Sequence, residues 1–276
     1  IWLPDLSLFL WVDIEGRTLH EYNTITKTFQ HHVFNAMLSS IVPFEGDVVL
    51  LFLQDRILKF HLSTGEEELL LNLPFPSNQR PNDVKASPDG RLFMGVMQLS
   101  DYENNGALYR IDGDLTLHRV VDRQSIPNGI VWDPALNVMY YVDSLRRCIE
   151  RYGYDPETGE LDYQGVAVQV PEAFGVPDGM TIDSEGNLWV AHWGGFGVYV
   201  WNPTNGELIH KVEVPVPNVA SCTFGKDGVL YITTARAGLN EAELEQYPLS
   251  GSLFTCQTTV RAGQNHYSFK RKEEQV

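Results

Sequence analysis

Cysteine is scarce in this chain. Only Cys148, Cys222 and Cys256 occur in 276 residues, an odd number with no Cys-x-x-Cys pair, which leaves no zinc knuckle or dithiol redox motif. That usage fits a reducing compartment, and a cytoplasmic location is expected. Basic residues are also few. Against 36 Asp and Glu stand 20 Lys and Arg, a formal net charge of −16, and a surface of that sign repels phosphate backbones, so no nucleic-acid partner is expected. Long apolar runs are missing too: the longest, 6–12 and 48–53, fall far below the roughly 18 residues that span a bilayer, so no membrane association is expected. Helical periodicity is confined to one patch at 240–246. A Gly-x-Ser-x-Gly elbow and a Walker-type phosphate loop are both absent, which argues against a serine hydrolase and a nucleotide hydrolase.

What the chain has is repetition. Hydrophobic residues make up 43% of it, enough for a sizeable core, and they come in short β-rich runs between Gly, Asp, Asn and Pro clusters. Six of these runs are alike: Leu10-Trp11-Val12-Asp13, Leu51-Phe52-Leu53, Leu92-Phe93-Met94, Met139-Tyr140-Tyr141, Leu188-Trp189-Val190 and Leu230-Tyr231-Ile232. Their central aromatics are 41, 41, 47, 49 and 42 residues apart, the period of a four-stranded propeller blade. Each run is followed by a second strand, and Asp89-Gly90, Glu185-Gly186 and Asp227-Gly228 stand before their strands as hairpin turns. The expected fold is all-β, a six-bladed β-propeller formed as one domain over 1–276, with a polar tail at 270–276 that need not be ordered. A two-sheet sandwich, the other reading of so many strands, predicts no six-fold repeat.

Within each repeat one position carries candidate chemistry. Pro81-Asn82, Pro127-Asn128, Pro177-Asp178 and Pro217-Asn218 lie 11, 12, 11 and 13 residues ahead of their aromatics, and the second repeat offers Ser39-Ser40 there. Any one such dipeptide reads as an ordinary turn. Four at one phase of the repeat place amide and carboxylate oxygens at one mouth of the channel, a donor set suited to a hard divalent cation. His192 and the His31-His32 pair lack a second partner at metal spacing and read as packed or rim histidines. Asp112-Gly113-Asp114 lacks the remainder of a calcium loop.

These motifs resemble the family of senescence marker protein 30, gluconolactonase and luciferin-regenerating enzyme. The residues that carry the likeness are Trp11-Val12-Asp13-Ile14, Arg80-Pro81-Asn82-Asp83, Pro127-Asn128-Gly129, Tyr141-Val142-Asp143-Ser144, Pro177-Asp178-Gly179-Met180 and Gly186-Asn187-Leu188-Trp189-Val190-Ala191. Later stretches such as Trp193-Gly194-Gly195-Phe196-Gly197 are most similar to bacterial sugar-acid lactonases. The resemblance implies a six-bladed propeller that holds one divalent cation, Ca²⁺ first, with Mg²⁺, Mn²⁺, Zn²⁺ or Fe²⁺ as alternatives. It implies Asn128 and Asp178 as metal ligands, Asp178 also as general base, Arg80 and Glu103 as substrate contacts, and Asn82 as the neighbouring substrate or metal contact. The implied activity is metal-dependent hydrolysis of an aldonic-acid lactone, with a small sugar lactone as partner. A non-catalytic calcium-binding or scaffold propeller is the alternative. One departure stands out: the family's ligand Glu lies in a Gly-Glu-Gly-Pro stretch directly before the segment matching Ile1-Trp2. About 12 to 20 further N-terminal residues, one strand plus a turn, are therefore expected to supply that Glu and a strand that closes the last blade.

Overall fold

The computed structural model describes residues 1–263 and 266–272. They form six antiparallel sheets, the blades of a six-bladed β-propeller, five of four strands and the sixth, Val219–Phe224, Val229–Thr234 and Leu253–Gln257, of three among the described residues. Every sheet is built from strands consecutive in sequence, so each repeat is one up-and-down meander. The six aromatic runs all fall on the second strands, for example Val48–Leu53, Val138–Asp143 and Leu188–Trp193. Gly90, Gly186 and Gly228, in the turns before three of these strands, have φ of 96°, 82° and 76°, which a side chain would resist.

The second strands of the second and fifth sheets, Val48–Leu53 and Leu188–Trp193, are apolar on both sides because the sheets flanking them in the same unit cover both faces. In Val48–Leu53, Leu50 and Phe52 pack towards the third sheet with Val84, Leu92 and Met94, whereas Val49 and Leu51 pack towards the first with Leu10 and Leu19. The fifth sheet repeats this, Leu188 and Val190 facing the fourth sheet and Trp189 and Ala191 the sixth. A strand sandwiched in this way loses the apolar–polar alternation of a half-exposed one. Burial then fades towards the fourth strand, where Glu207–Glu213 carries Glu207, Lys211 and Glu213 on an edge, charges that discourage further strand pairing. The one helix among the described residues, Glu241–Gln246, lies on the patch at 240–246 and is closed by a capping box between Asn240 and Glu243.

The chain divides into two compact units: residues 1–127, 155–161 and the described 266–272 form one, and 128–154 with 162–263 the other. The first holds the first three sheets and the second the remaining three, apart from Pro127 and the hairpin 155–161. In the first unit Phe269 is buried beside Phe44, and the Lys270 and Lys272 amides donate to the Gly90 and Gly113 carbonyls, so this stretch of the basic tail is held against the sheets. Residues 273–276 of the expected tail lie outside the described residues.

Candidate metal and substrate site

The Pro-Asn and Pro-Asp pairs open the first strands of their sheets or stand just before them, and the ladder slips at Asn82 and Asp178. Opposite Val190–His192 the strand Val176–Ile182 carries one extra residue within 178–179, and opposite Met94–Val96 the strand Gln79–Ala86 carries one within 82–83. The second sheet slips at Ser39 and the sixth at Ala220. A bulge turns a side chain away from the regular alternation of the strand and is a frequent device beside active sites. No dipeptide count reveals it, because the slip depends on the partner strand.

In the second unit, Asn128, Asp178 and Asn218 hold successive slots. Asn128 is buried, and its Nδ2 donates to Ser144 Oγ at 3.0 Å; that hydroxyl donates to the Pro177 carbonyl at 2.7 Å, directly before Asp178. Its Oδ1 accepts no hydrogen bond from a described residue. Asn218, also buried, gives its Nδ2 to the Ala237 carbonyl at 3.0 Å, which likewise leaves Oδ1. The backbones of the first two slots touch: a Cβ on Gly129 would stand 2.7 Å from the Asp178 carbonyl oxygen, and one on Gly179 would stand 2.9 Å from that of Ala220. Glycine after Asn128 and after Asp178 is therefore what lets successive first strands approach closely.

The segment leading into Asp178 is held by side chains. His192 Nδ1 donates to the Phe174 carbonyl at 2.9 Å, and Arg147 Nη1 donates to the Gly175 carbonyl at 2.7 Å. His192 is fully buried, stacked on Tyr199 at 4.0 Å, and accepts from Trp201 Nε1 at 3.4 Å. Burial lowers its pKa to about 4, so it is a neutral packed histidine, as its lack of a metal partner suggested.

The first unit treats its own slot differently. Asn82 is buried, its Nδ2 donates to the Pro127 carbonyl at 2.7 Å, and its Oδ1 accepts from Arg80 Nη1 at 2.7 Å. A guanidinium on the amide oxygen opposes a cation there, so Asn82 suits substrate contact better than metal ligation. Glu103 lies in the exposed 99–105 loop that follows Leu92–Gln98, and that strand ends with Gln98 paired to Gln79, at the end of the sheet that carries Arg80. Ser39 keeps a buried Oγ with no partner among the described residues.

Oxygen donors of this kind fit a hard cation. Among the described residues no three or more His, Cys, Asp or Glu side chains gather as a metal cluster, so any set here mixes neutral amides with the Asp178 carboxylate. Among them, too, no helix is long and apolar enough to cross a membrane. All three cysteines are free thiols. Ser144 stands in the Tyr-Val-Asp-Ser motif, but only the turn at Ser144–Arg146 brings its hydroxyl between Asn128 and the Pro177 carbonyl.

Comparison with known proteins gives these residues a context. A family model described as "SMP-30/Gluconolactonase/LRE-like region" matches residues 1–236. The candidate sugar lactone lactonase YvrE of Bacillus subtilis is 32% identical over 260 residues, covering 93% of this chain and 89% of its own length. Pentonolactonase XacC of Haloferax volcanii is 35% identical over 237 residues, 85% of this chain and 80% of its own. Among solved structures, a calcium-binding protein, regucalcin, from Agrobacterium tumefaciens superposes with a TM-score of 0.90 at 25% identity, covering 98% of this chain and 92% of its own. The chain thus belongs to the SMP-30/gluconolactonase/LRE-like family and is a lactone-hydrolysing enzyme of the six-bladed propeller fold.

Proposed function

We propose that the enzyme hydrolyses the lactone of an aldonic acid with the help of one divalent cation, held by Asn128 Oδ1 and the Asp178 carboxylate, with Asn218 as the neighbouring oxygen. The observation that carries this reading is the commitment of the Asn128 amide nitrogen to Ser144, which leaves its oxygen as the available donor in the slot next to Asp178. When bound, such a cation supplies Lewis-acid polarisation of the lactone carbonyl and charge compensation for the oxyanion. Ca²⁺ is the first choice for neutral and carboxylate oxygens, with water and substrate completing its sphere.

The rest is done by side chains of the chain itself. Asp178, half-buried, takes the proton of the attacking water as general base while the water oxygen bonds to the carbonyl carbon. The ring C–O bond then breaks, and the proton passes to the departing hydroxyl, which leaves the open aldonate. Arg80, with Asn82 orienting its guanidinium, donates to hydroxyl or carbonyl oxygens of the substrate, and Glu103 accepts from a sugar hydroxyl. No nucleophilic serine or cysteine is needed. The pentonolactonase relative makes five-carbon lactones the first substrates to try.

The likeness to the calcium-binding Agrobacterium protein supports a second reading, in which the same oxygens hold calcium without taking part in turnover. Acid release from pentono- and hexonolactones, measured with chelator and after metal add-back, decides between them. Loss with chelator and recovery with metal are expected; turnover indifferent to chelation overturns metal assistance.

A further inference from the structure

We propose that Ser144 is a positioning residue that sets which end of the Asn128 amide faces the cation and ties that choice to the strand carrying Asp178. This rests on the metal-ligand reading of Asn128 and Asp178.

The argument is one of hydrogen-bond direction. The Pro177 carbonyl can only accept, and the Ser144 hydroxyl has one proton, so at 2.7 Å the hydroxyl spends that proton on Pro177. What the hydroxyl then offers Asn128 at 3.0 Å is a lone pair. Only the Nδ2 end of the amide can answer it, and Oδ1 must point the opposite way. An amide with its NH₂ towards a cation would repel it, so the hydroxyl converts a two-fold ambiguous side chain into a directed oxygen ligand. Asn128, Ser144 and Pro177 are all buried, so water does not compete freely for these bonds.

The turn that presents Ser144 is itself fixed. Arg147, in the left-handed conformation at φ 51°, caps Ser144–Arg146 and donates its N–H to the Ser144 carbonyl, while its Nη1 reaches the Gly175 carbonyl at 2.7 Å. Gln169 Nε2 holds the Arg147 carbonyl at 2.9 Å. Ser144 and Arg147 thus grip the carbonyls of Pro177 and Gly175, so the hydroxyl that orients one proposed ligand also anchors the approach to the other.

The test is a double-mutant cycle read by metal affinity, with Ca²⁺ and Mn²⁺ titrated calorimetrically into the whole chain. Ser144→Ala should weaken binding about tenfold, in the range seen when groups that orient metal ligands are removed, with the melting temperature recorded alongside. In an Asn128→Asp background the ligand is a carboxylate, whose two ends are both oxygens, so adding Ser144→Ala should change affinity by less than about twofold. Equal losses in the two backgrounds would show that Ser144 acts through general packing and would overturn the proposal, as would Ser144→Ala binding metal like the wild type. If the wild-type chain itself binds neither cation, the metal reading fails and this proposal falls with it, a result separable from failure of Ser144 alone.

Discussion

Asn82 and Asn128 stand at the same step of the repeat, each directly after a proline, yet their amides end in different states. Both give their nitrogen to an acceptor, Asn82 to the Pro127 carbonyl and Asn128 to the Ser144 hydroxyl. The oxygens differ: that of Asn82 is taken by Arg80, whereas that of Asn128 is left without a donor among the described residues. The repeat assigns an address, and the neighbouring donors assign the role. A slot whose amide oxygen carries a guanidinium suits a polar substrate, and a slot whose amide oxygen has no donor suits a cation.

The strongest test of that contrast is removal of the carboxylate. Asp178→Ala should lower kcat for aldonolactone hydrolysis by about 10² to 10⁴, the span associated with a lost general base, while Asp89→Ala and Asp227→Ala, in turns, should stay within about twofold. Comparable losses in all three, with folding intact by circular dichroism, would remove the special standing of Asp178.

A second test concerns what supports the Asp178 segment. His192 holds the Phe174 carbonyl while neutral, and its folded pKa, about 4, lies below the ordinary 6.5. Below pH 6.5 the unfolded chain takes up a proton that the folded chain refuses, so stability should fall as pH drops from 6.5 towards 4 and level off below that. The loss from this residue should be about 3 kcal/mol. Urea unfolding across this range should show the slope, and His192→Gln should flatten it; an unchanged slope would mean that other groups carry the acid sensitivity.

Two alanine substitutions separate the Asn82 and Asn128 slots. Asn128→Ala should weaken metal binding by about 10- to 100-fold, whereas Asn82→Ala should leave metal affinity within about twofold and instead raise KM. Equal metal losses would erase the distinction between the slots. The smallest effect expected is from Gly129→Ala, whose Cβ would meet the Asp178 carbonyl oxygen at 2.7 Å. It should cost about 1–3 kcal/mol of stability in urea unfolding, and a melting curve unmoved by it would show that the two strands can part.

Much of the molecule is legible in the order of its residues. The six aromatic runs announce the six second strands, because a strand covered on both faces must be apolar throughout, as Val48–Leu53 and Leu188–Trp193 are. The Asp-Gly and Glu-Gly turns were readable because only glycine adopts their positive φ without strain, and Asn240 with Glu243 marked the helix start through a local capping pattern. Such features depend on residues a few positions apart, so the order of the letters suffices. The Pro-Asn and Pro-Asp phase likewise singled out Asn82, Asn128, Asp178 and Asn218.

What only the tertiary structure decided is how those four side chains are used. The ladder slips at Asn82 and Asp178 depend on partner strands, the Arg80 proton on Asn82 depends on a rotamer, and the Ser144 relay joins Asn128 to a carbonyl 49 residues further along the chain. Hydrogen bonds have direction, and direction exists only once donor and acceptor are placed in space. An asparagine in the sequence is a donor and an acceptor at once; the fold makes the Asn82 amide a partner of arginine and leaves the oxygen of Asn128 without a donor.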